Sequence, residues 1–141
     1  STEMDPKTKH PVIDLMEEQK EVTHKGGTMR LGAWDCKLTE GSKIYKAYGK
    51  SEIKERHRHR YEYNNKYKEE LEKAGMLSTG INPETGLVEV IELKDHPWFV
   101  GVQYHPEYKS TVATPHPVFI AFIKAAFDFS KKRKNASLAQ K

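Results

Sequence analysis

A histidine and a glutamate two residues apart, His105 and Glu107, follow an apolar run and are suited to acid–base chemistry. The run covers Trp98–Tyr104, and its composition predicts a short strand covered on both faces. Residues i and i+2 of an extended segment point to the same side. We therefore expect His105 to act as a base and Glu107 to orient its imidazole, at a strand end where α/β proteins form their sites. The alternative is a strand end whose histidine makes only local hydrogen bonds.

The sequence offers this pair no nucleophile. Neither a cysteine nor a serine stands in a sharp strand-to-helix turn, where a base could activate it. The single cysteine, Cys36, falls inside a predicted strand, where a buried structural thiol is expected. One cysteine also excludes an internal disulfide and a multi-cysteine zinc site, and it fits a reducing cytoplasm. The residues therefore predict part of an active site.

Arginines and histidines alternate over residues 56–60, in the order Arg-His-Arg-His-Arg. If this run is extended, three arginines lie on one side and His57 and His59 on the other. Neighbouring guanidinium groups repel one another and call for an anion, such as a substrate carboxylate, a phosphate or an acidic partner. A solvated basic edge strand is the alternative. The histidines could join His105 and Glu107 in a metal site, but the interleaved arginines disfavour a cation, and we expect no metal.

The surrounding pattern predicts a mixed α/β protein with helices packed on a central sheet. Strands are expected over residues 28–38, 60–63, 76–81, 87–93 and 98–104. Helices are expected from Pro11 to about Gln19 and over residues 42–48 and 66–73. A last amphipathic helix begins at Pro117, with a stripe expected to be buried that comprises Phe119, Phe122, Ile123, Ala126 and Phe127.

Charge is concentrated at the C-terminus. The formal net charge is +4, but residues 131–141 carry five positive charges and no acid, so the rest of the chain carries −1. We predict one domain over residues 1–130 and a basic, disordered tail over residues 131–141. A charge confined to a tail argues against nucleic-acid binding. We expect no signal peptide, because Ser1 is followed by neither a basic nor an apolar leader region, and we expect no membrane span, because no apolar run is long enough.

Several longer motifs carry a family resemblance: GGTMRLG at residues 26–32, ERHRHRYEYN at 55–64, and HPWF leading to HPEY over 96–108. STEM at residues 1–4 and HPVF at 116–119 agree with it. Over residues 1–129 the chain resembles the glutamine amidotransferase domain of the CTP synthase family. The resemblance implies a partial class I glutamine amidotransferase fold, which is a flavodoxin-like three-layer sandwich with its N-terminal strands missing.

The resemblance also implies chemistry. In that family a Cys-His-Glu triad hydrolyses glutamine, and the ammonia displaces a phosphate that ATP has placed on the 4-oxygen of UTP. It implies that His105 is the base, Glu107 orients it, Arg60 binds the glutamine carboxylate and Glu3, otherwise an ordinary exposed residue, binds the ammonium.

The nucleophilic cysteine and the synthetase domain, with its ATP and Mg²⁺, would lie upstream of Ser1. We expect a C-terminal portion of a cytoplasmic homotetramer, without a cofactor of its own and inactive alone. A non-catalytic glutamine-binding or regulatory module is the second hypothesis.

Overall fold

A computed structural model describes residues 1–15 and 29–138 of the chain. Within these ranges it contains strands, helices and two 3₁₀ turns, at residues Asn65–Tyr67 and Pro106–Lys109. In chain order the elements are β1 (Ile13–Leu15), β2 (Arg30–Leu38), α1 (Lys43–Tyr48), β3 (Glu52–His59), β4 (Tyr61–Tyr63), α2 (Lys68–Lys73), β5 (Met76–Ile81), β6 (Val88–Leu93), β7 (Val100–Val102) and α3 (Pro117–Leu138).

The strands form a five-stranded sheet in the order β3-β2-β5-β6-β7 and a separate pair, β1-β4. Every described pairing is antiparallel. The longest pairing joins β2 to β3, from Arg30 opposite His59 to Lys37 opposite Glu52. The prediction of a mixed α/β protein is confirmed, in the form of an antiparallel sheet with helices. The flavodoxin-like three-layer arrangement stays a prediction.

Helix α1 connects β2 to β3, and its ends are capped by side chain and backbone. The Ser42 hydroxyl accepts a hydrogen bond from the Tyr45 amide at 3.1 Å, and Gly49 ends the helix in the left-handed region at φ 68°. The buried Glu92 carboxylate of β6 accepts hydrogen bonds from the Lys43 and Ile44 amides at 3.0 and 2.8 Å. A carboxylate at a helix N-terminus satisfies free amides and complements the helix dipole. These contacts fix α1 against the sheet.

The core lies between the five-stranded sheet, α1 and the start of α3. It contains Cys36, Leu38, Ile44, Ile53, Val90, Tyr104 and Val118. The approach of β5 to its neighbours is close at Gly80, where an added Cβ would lie 2.6 Å from Val90 Cγ2 and 2.9 Å from Cys36 Sγ. Only glycine fits there. The predicted buried state of Cys36 is confirmed, since the residue is 2% exposed.

The segment after Pro11 and the strand expected over residues 98–104 were wrong in type or extent. The segment after Pro11 was expected to be helical, but residues 13–15 form strand β1, and residues 16–19 lie outside the described ranges. Pairing with β4 satisfies the backbone of this segment, and that tertiary contact overrides its helical apolar spacing. The strand expected over residues 98–104 is shorter and less buried. It covers only Val100–Val102, because it pairs with β6 alone at the edge of the described sheet.

The last helix begins at Pro117 as predicted, but its apolar stripe is not buried. Phe119, Phe122, Ile123 and Phe127 are between 38% and 64% exposed, whereas Val118 is buried. Helical spacing reveals an apolar face but does not reveal what covers it. The helix continues to Leu138, so residues 131–138, expected to be a disordered tail, are helical.

Candidate active site

His105 and Glu107 form a hydrogen-bonded pair directly after β7. The distance from His105 Nδ1 to Glu107 Oε1 is 2.6 Å. Buried Pro106 opens the 3₁₀ turn that carries Glu107, and the His105 ring stacks on Tyr108 with 5.1 Å between ring centroids. When Nδ1 donates its proton to the carboxylate, the lone pair of the neutral ring is on Nε2. The pair can therefore present a basic nitrogen of defined orientation.

The exposure and charge of the pair suit contact with a substrate. The side chains of His105 and Glu107 are 37% and 53% exposed. The hydrogen bond from His105 lowers the pKa of Glu107, because it stabilises the ionised carboxylate. Glu107 thus stays charged and holds the imidazole in one tautomer.

Strand β3 confirms the predicted alternation of arginine and histidine. Arg56 and Arg58 are exposed, His57 is buried, and the His59 side chain is 13% exposed. The sequence indicated a strand only for the second half of the motif, but β3 already begins at Glu52. Arg60 follows β3 and is half-buried. The arginines do not form one row, because β3 ends before the third of them.

The four candidate residues are only partly brought together. Glu3 is exposed, and its segment is held by hydrogen bonds from the Thr2 amide to the Ile13 carbonyl at 3.0 Å and from the Thr2 hydroxyl to Asp14 Oδ1 at 2.8 Å. Strand β1 then pairs with β4, which begins directly after Arg60. Within the described ranges, Glu3 makes no hydrogen bond or ion pair to the other three candidates. His105 and Glu107 are in direct contact, and Arg60 and the Glu3 segment adjoin the β1-β4 pair.

A buried charged cluster that the sequence did not reveal lies on the inward face of β3. Arg30 Nη2 is 2.5 Å from Glu89 Oε1, and Arg30 Nη1 is 3.4 Å from Glu62 Oε1. His57 Nδ1 and His59 Nε2 lie 2.7 Å apart, His57 Nε2 lies 3.6 Å from Glu89 Oε2, and His59 Nδ1 lies 3.4 Å from Glu62 Oε1. One signal was available: Arg30 shares the inward-facing parity of β2 with Cys36 and Leu38.

Burial decides the charge state of this cluster. It raises the pKa of Glu62 to about 7 and also raises that of Glu89, whereas the Arg30 guanidinium acts in the opposite direction on both. Burial and the Arg30 charge lower the pKa of His57 to about 3, and the same causes lower that of His59 to about 4. Both histidines are therefore neutral at pH 7, and they hydrogen-bond to each other.

We expect His57→Gln to reduce the loss of stability in acid. The pKa of His57 is about 3 in the folded state and about 6.5 in the unfolded state, so the unfolded state binds more protons between these values. The contribution of His57 is complete above pH 6.5 and falls by about 3 kcal/mol by pH 4. Urea unfolding at pH 7 and pH 4 should show a drop smaller by about that amount in His57→Gln.

The raised pKa of Glu62 acts with the opposite sign, because stability then falls as pH rises from 4.5 to about 7. The test therefore compares the fall in the free energy of unfolding between pH 7 and pH 4 in His57→Gln with the same fall in the parent. His10→Gln changes an exposed histidine and should leave the drop unchanged. Equal drops in the parent and in His57→Gln would contradict the prediction.

The buried thiol of Cys36 is not a nucleophile. Burial raises its pKa to about 12, with a further contribution from the Glu89 charge. A protonated thiol attacks poorly, because the thiolate is the reactive form.

No group of three or more histidine, cysteine, aspartate or glutamate residues in the described part of the chain is arranged to hold a metal ion. Among the helices described, none is sufficiently long and apolar to cross a bilayer.

The comparison with protein families identifies the class of protein. The model of the glutamine amidotransferase class-I family matches residues 8–125. Since this match covers most of the chain, the protein belongs to the class I glutamine amidotransferase family.

Within that family the chain is similar to CTP synthases. It is 79% identical over 141 residues to the CTP synthase of Christiangramia forsetii, an alignment that covers all of this chain and 26% of that protein. It is 63% identical over 132 residues to the enzyme of Flavobacterium johnsoniae, covering 94% of this chain and 25% of that protein. The resemblance inferred from the motifs is confirmed, and the chain corresponds to the glutaminase portion of CTP synthase. It spans about a quarter of the length of these relatives.

A solved structure agrees with this assignment. The glutaminase domain of Trypanosoma brucei CTPS with bound acivicin matches the chain with a TM-score of 0.81 and 34% sequence identity. The match covers 91% of this chain and 50% of that one. The antiparallel sheet and helices described above are therefore a glutaminase-type fold.

Proposed function

We propose that this chain contributes the histidine and glutamate of a glutaminase site within a CTP-forming enzyme. The observation that carries the proposal is the 2.6 Å contact between His105 Nδ1 and Glu107 Oε1 at an exposed position after β7. Membership of the class I amidotransferases and similarity to CTP synthases supply the reaction class. The nucleophilic cysteine would belong to a part of the protein outside these 141 residues, since Cys36 is buried and protonated.

The chemistry requires His105 to accept a proton and give it up again in each of the two halves of the reaction. His105 Nε2 takes the proton of the cysteine thiol, and the thiolate attacks the side-chain amide carbon of glutamine. The imidazolium then protonates the departing ammonia as the thioester forms. In the second half His105 removes a proton from water, and the water oxygen attacks the thioester carbon. The carbon–sulfur bond breaks to release glutamate, and the imidazolium returns its proton to the thiolate. The charge of Glu107 stabilises the imidazolium that forms in each half.

Two residues are proposed to bind glutamine. The Arg60 guanidinium would bind the α-carboxylate through paired N–H donors, and the Glu3 carboxylate would bind the α-ammonium. Their support is motif position and the attachment of both segments to the β1-β4 pair. The ammonia released would serve the conversion of UTP, ATP and glutamine to CTP, ADP, phosphate and glutamate. Binding of UTP, ATP and Mg²⁺ and assembly of a homotetramer would be properties of the whole protein.

A chimeric enzyme tests the proposal directly. These 141 residues would replace the corresponding residues of the Christiangramia forsetii CTP synthase, giving "the chimera". We expect the chimera to hydrolyse glutamine within about tenfold of that relative, because 79% of the exchanged residues are identical. The separate 141-residue chain should release no glutamate above background, because it has no reactive thiol.

A chimera that folds and forms CTP from ammonia, yet does not hydrolyse glutamine, would contradict the proposal. Glutamine hydrolysis by the separate chain would contradict it as well. Binding of glutamine without hydrolysis by the chimera would instead favour a non-catalytic glutamine-binding module.

A further inference from the structure

We propose that Glu55 is a positioning residue for the His105–Glu107 pair. Its buried carboxylate connects strand β3 to both ends of the turn that carries the pair. The inference rests on the glutaminase function proposed above, to which it adds a residue that neither the pair nor the glutamine-binding candidates include.

One connection reaches the residue before the pair. Glu55 Oε1 accepts a hydrogen bond from the Tyr48 hydroxyl at 3.1 Å, and the hydroxyl oxygens of Tyr48 and Tyr104 also lie 3.1 Å apart. A hydroxyl has one proton to donate, so Tyr48 donates to Glu55 and accepts from Tyr104. Burial and the neighbouring groups raise the pKa of Tyr48 far above its usual value, and burial also raises the pKa of Tyr104. Both hydroxyls therefore stay protonated, and Tyr104, which is covalently joined to His105, is linked to Glu55 through Tyr48.

A second connection reaches the end of the turn. Lys109 Nζ lies 3.3 Å from Glu55 Oε1 and donates to the Lys54 carbonyl at 2.6 Å. Lys109 is the last residue of the 3₁₀ turn that contains Glu107. Between these two connections, the His105 amide donates to the Arg56 carbonyl at 2.9 Å. Three consecutive residues of β3 thus hold the turn: the Lys54 carbonyl, the Glu55 carboxylate and the Arg56 carbonyl.

A third connection reaches the start of the last helix. His116 Nε2 lies 3.3 Å from Glu55 Oε1 and 3.3 Å from the Tyr48 hydroxyl. The His116 ring packs edge-on against Tyr48, and the His116 amide donates to Ser110 Oγ at 3.1 Å. Ser110 directly follows the turn. Glu55 is therefore common to the contacts that fix the turn at its beginning, at its end and at the following segment.

Because Glu55 is buried, its contacts with these donors stabilise the arrangement. The Glu55 side chain is 3% exposed, and its Oε2 has no hydrogen-bond partner within residues 1–15 and 29–138. Burial of a carboxylate costs free energy unless donors contact it, and at Oε1 those donors are Tyr48, Lys109 and His116. The His105 and Glu107 side chains, 37% and 53% exposed, contact each other and Tyr108, and their positions also depend on the backbone that carries them. Reactive groups misplaced by about 1 Å can lose about 10²-fold in rate.

The test compares two glutamate-to-glutamine changes on β3 in the chimera. Glu55→Gln keeps the size of the side chain and removes the charge, whereas Glu52→Gln makes the same change at an exposed position of the same strand. We expect Glu55→Gln to lower kcat for glutamine about 10- to 100-fold while KM changes less than about twofold. Glu52→Gln should leave both constants unchanged.

A spectroscopic measurement separates positioning from general stability. In ¹⁵N-labelled protein, the His105 side chain should show predominantly the Nδ1–H tautomer in the parent and a mixture of tautomers in Glu55→Gln. A folded Glu55→Gln variant with unchanged kcat and an unchanged His105 tautomer would overturn the proposal. If Glu55→Gln does not fold, Tyr48→Phe removes one connection without removing the charge. It should lower kcat about 3- to 10-fold, and full activity of that variant would overturn the proposal.

The controls distinguish this inference from the proposed function. Absence of glutamine hydrolysis in the unaltered chimera would refute the glutaminase role, while the His105 tautomer would still report whether Glu55 positions the ring. Hydrolysis in the unaltered chimera together with full activity of Glu55→Gln would refute the positioning role alone.

Discussion

Replacement of His105 with alanine is expected to lower kcat for glutamine hydrolysis at least about 10³-fold in the chimera. Alanine removes the group proposed to take the thiol proton and return it to ammonia, and no other histidine is hydrogen-bonded to Glu107 in the described part of the chain. Glu107→Gln should lower kcat less, about 10- to 10²-fold, because the imidazole remains but loses the charge that stabilises its protonated form. Release of glutamate measures both effects.

Two controls show whether the loss is specific to glutamine hydrolysis. His10→Ala changes an exposed histidine of the N-terminal segment and should retain full activity. His105→Ala should still form CTP when ammonia is supplied, because free ammonia bypasses the hydrolysis step. Retention of more than about a tenth of the parent kcat by His105→Ala would exclude His105 as the base.

Local patterns were sufficient for the parts of the site that depend on local geometry. The i, i+2 spacing of His105 and Glu107 predicted their common side, and the two side chains lie 2.6 Å apart, but through the 3₁₀ turn Pro106–Lys109 and not through the extended segment that was expected. Alternation along residues 56–59 likewise predicted that the arginines and histidines of β3 lie on opposite sides, and the structure shows that the histidine side faces inward. Their catalytic roles came from a family resemblance and stay predictions.

The missed features all depend on contacts between residues that are distant in the chain. Glu55 looks like one acid in a polar run, and its importance arises only from Tyr48, Tyr104, Lys109 and His116. Residues 13–15, expected to be helical, form a strand because β4 pairs with them. The apolar stripe of α3 was read correctly as a face and wrongly as buried, since a periodic pattern does not identify a partner.

Arg30→Met is expected to destabilise the fold by about 3–5 kcal/mol near pH 8. Arg30 contacts both Glu62 and Glu89, and all three side chains are at most 4% exposed. Methionine preserves much of the volume but leaves two buried carboxyls without their cation. Urea unfolding measures the loss, and Arg58→Met, on the exposed side of β3, should cost less than about 0.5 kcal/mol.

The pH dependence and a compensating change make the origin of this loss testable. Near pH 5 the burial-raised pKa of Glu62, about 7, keeps that carboxyl protonated, so removal of Arg30 should cost less there than at pH 8. Addition of Glu89→Gln to Arg30→Met should recover part of the stability. In the double variant only Glu62 remains as a buried carboxyl without its cation, whereas Arg30→Met alone leaves both Glu62 and Glu89. A loss that is equal at both pH values and unaffected by Glu89→Gln would mean that Arg30 acts by packing against Trp34, whose ring centroid lies 4.6 Å from the guanidinium carbon. The charge of Arg30 would then contribute little to the fold, and the neutral state of His57 and His59 would have to come from burial alone.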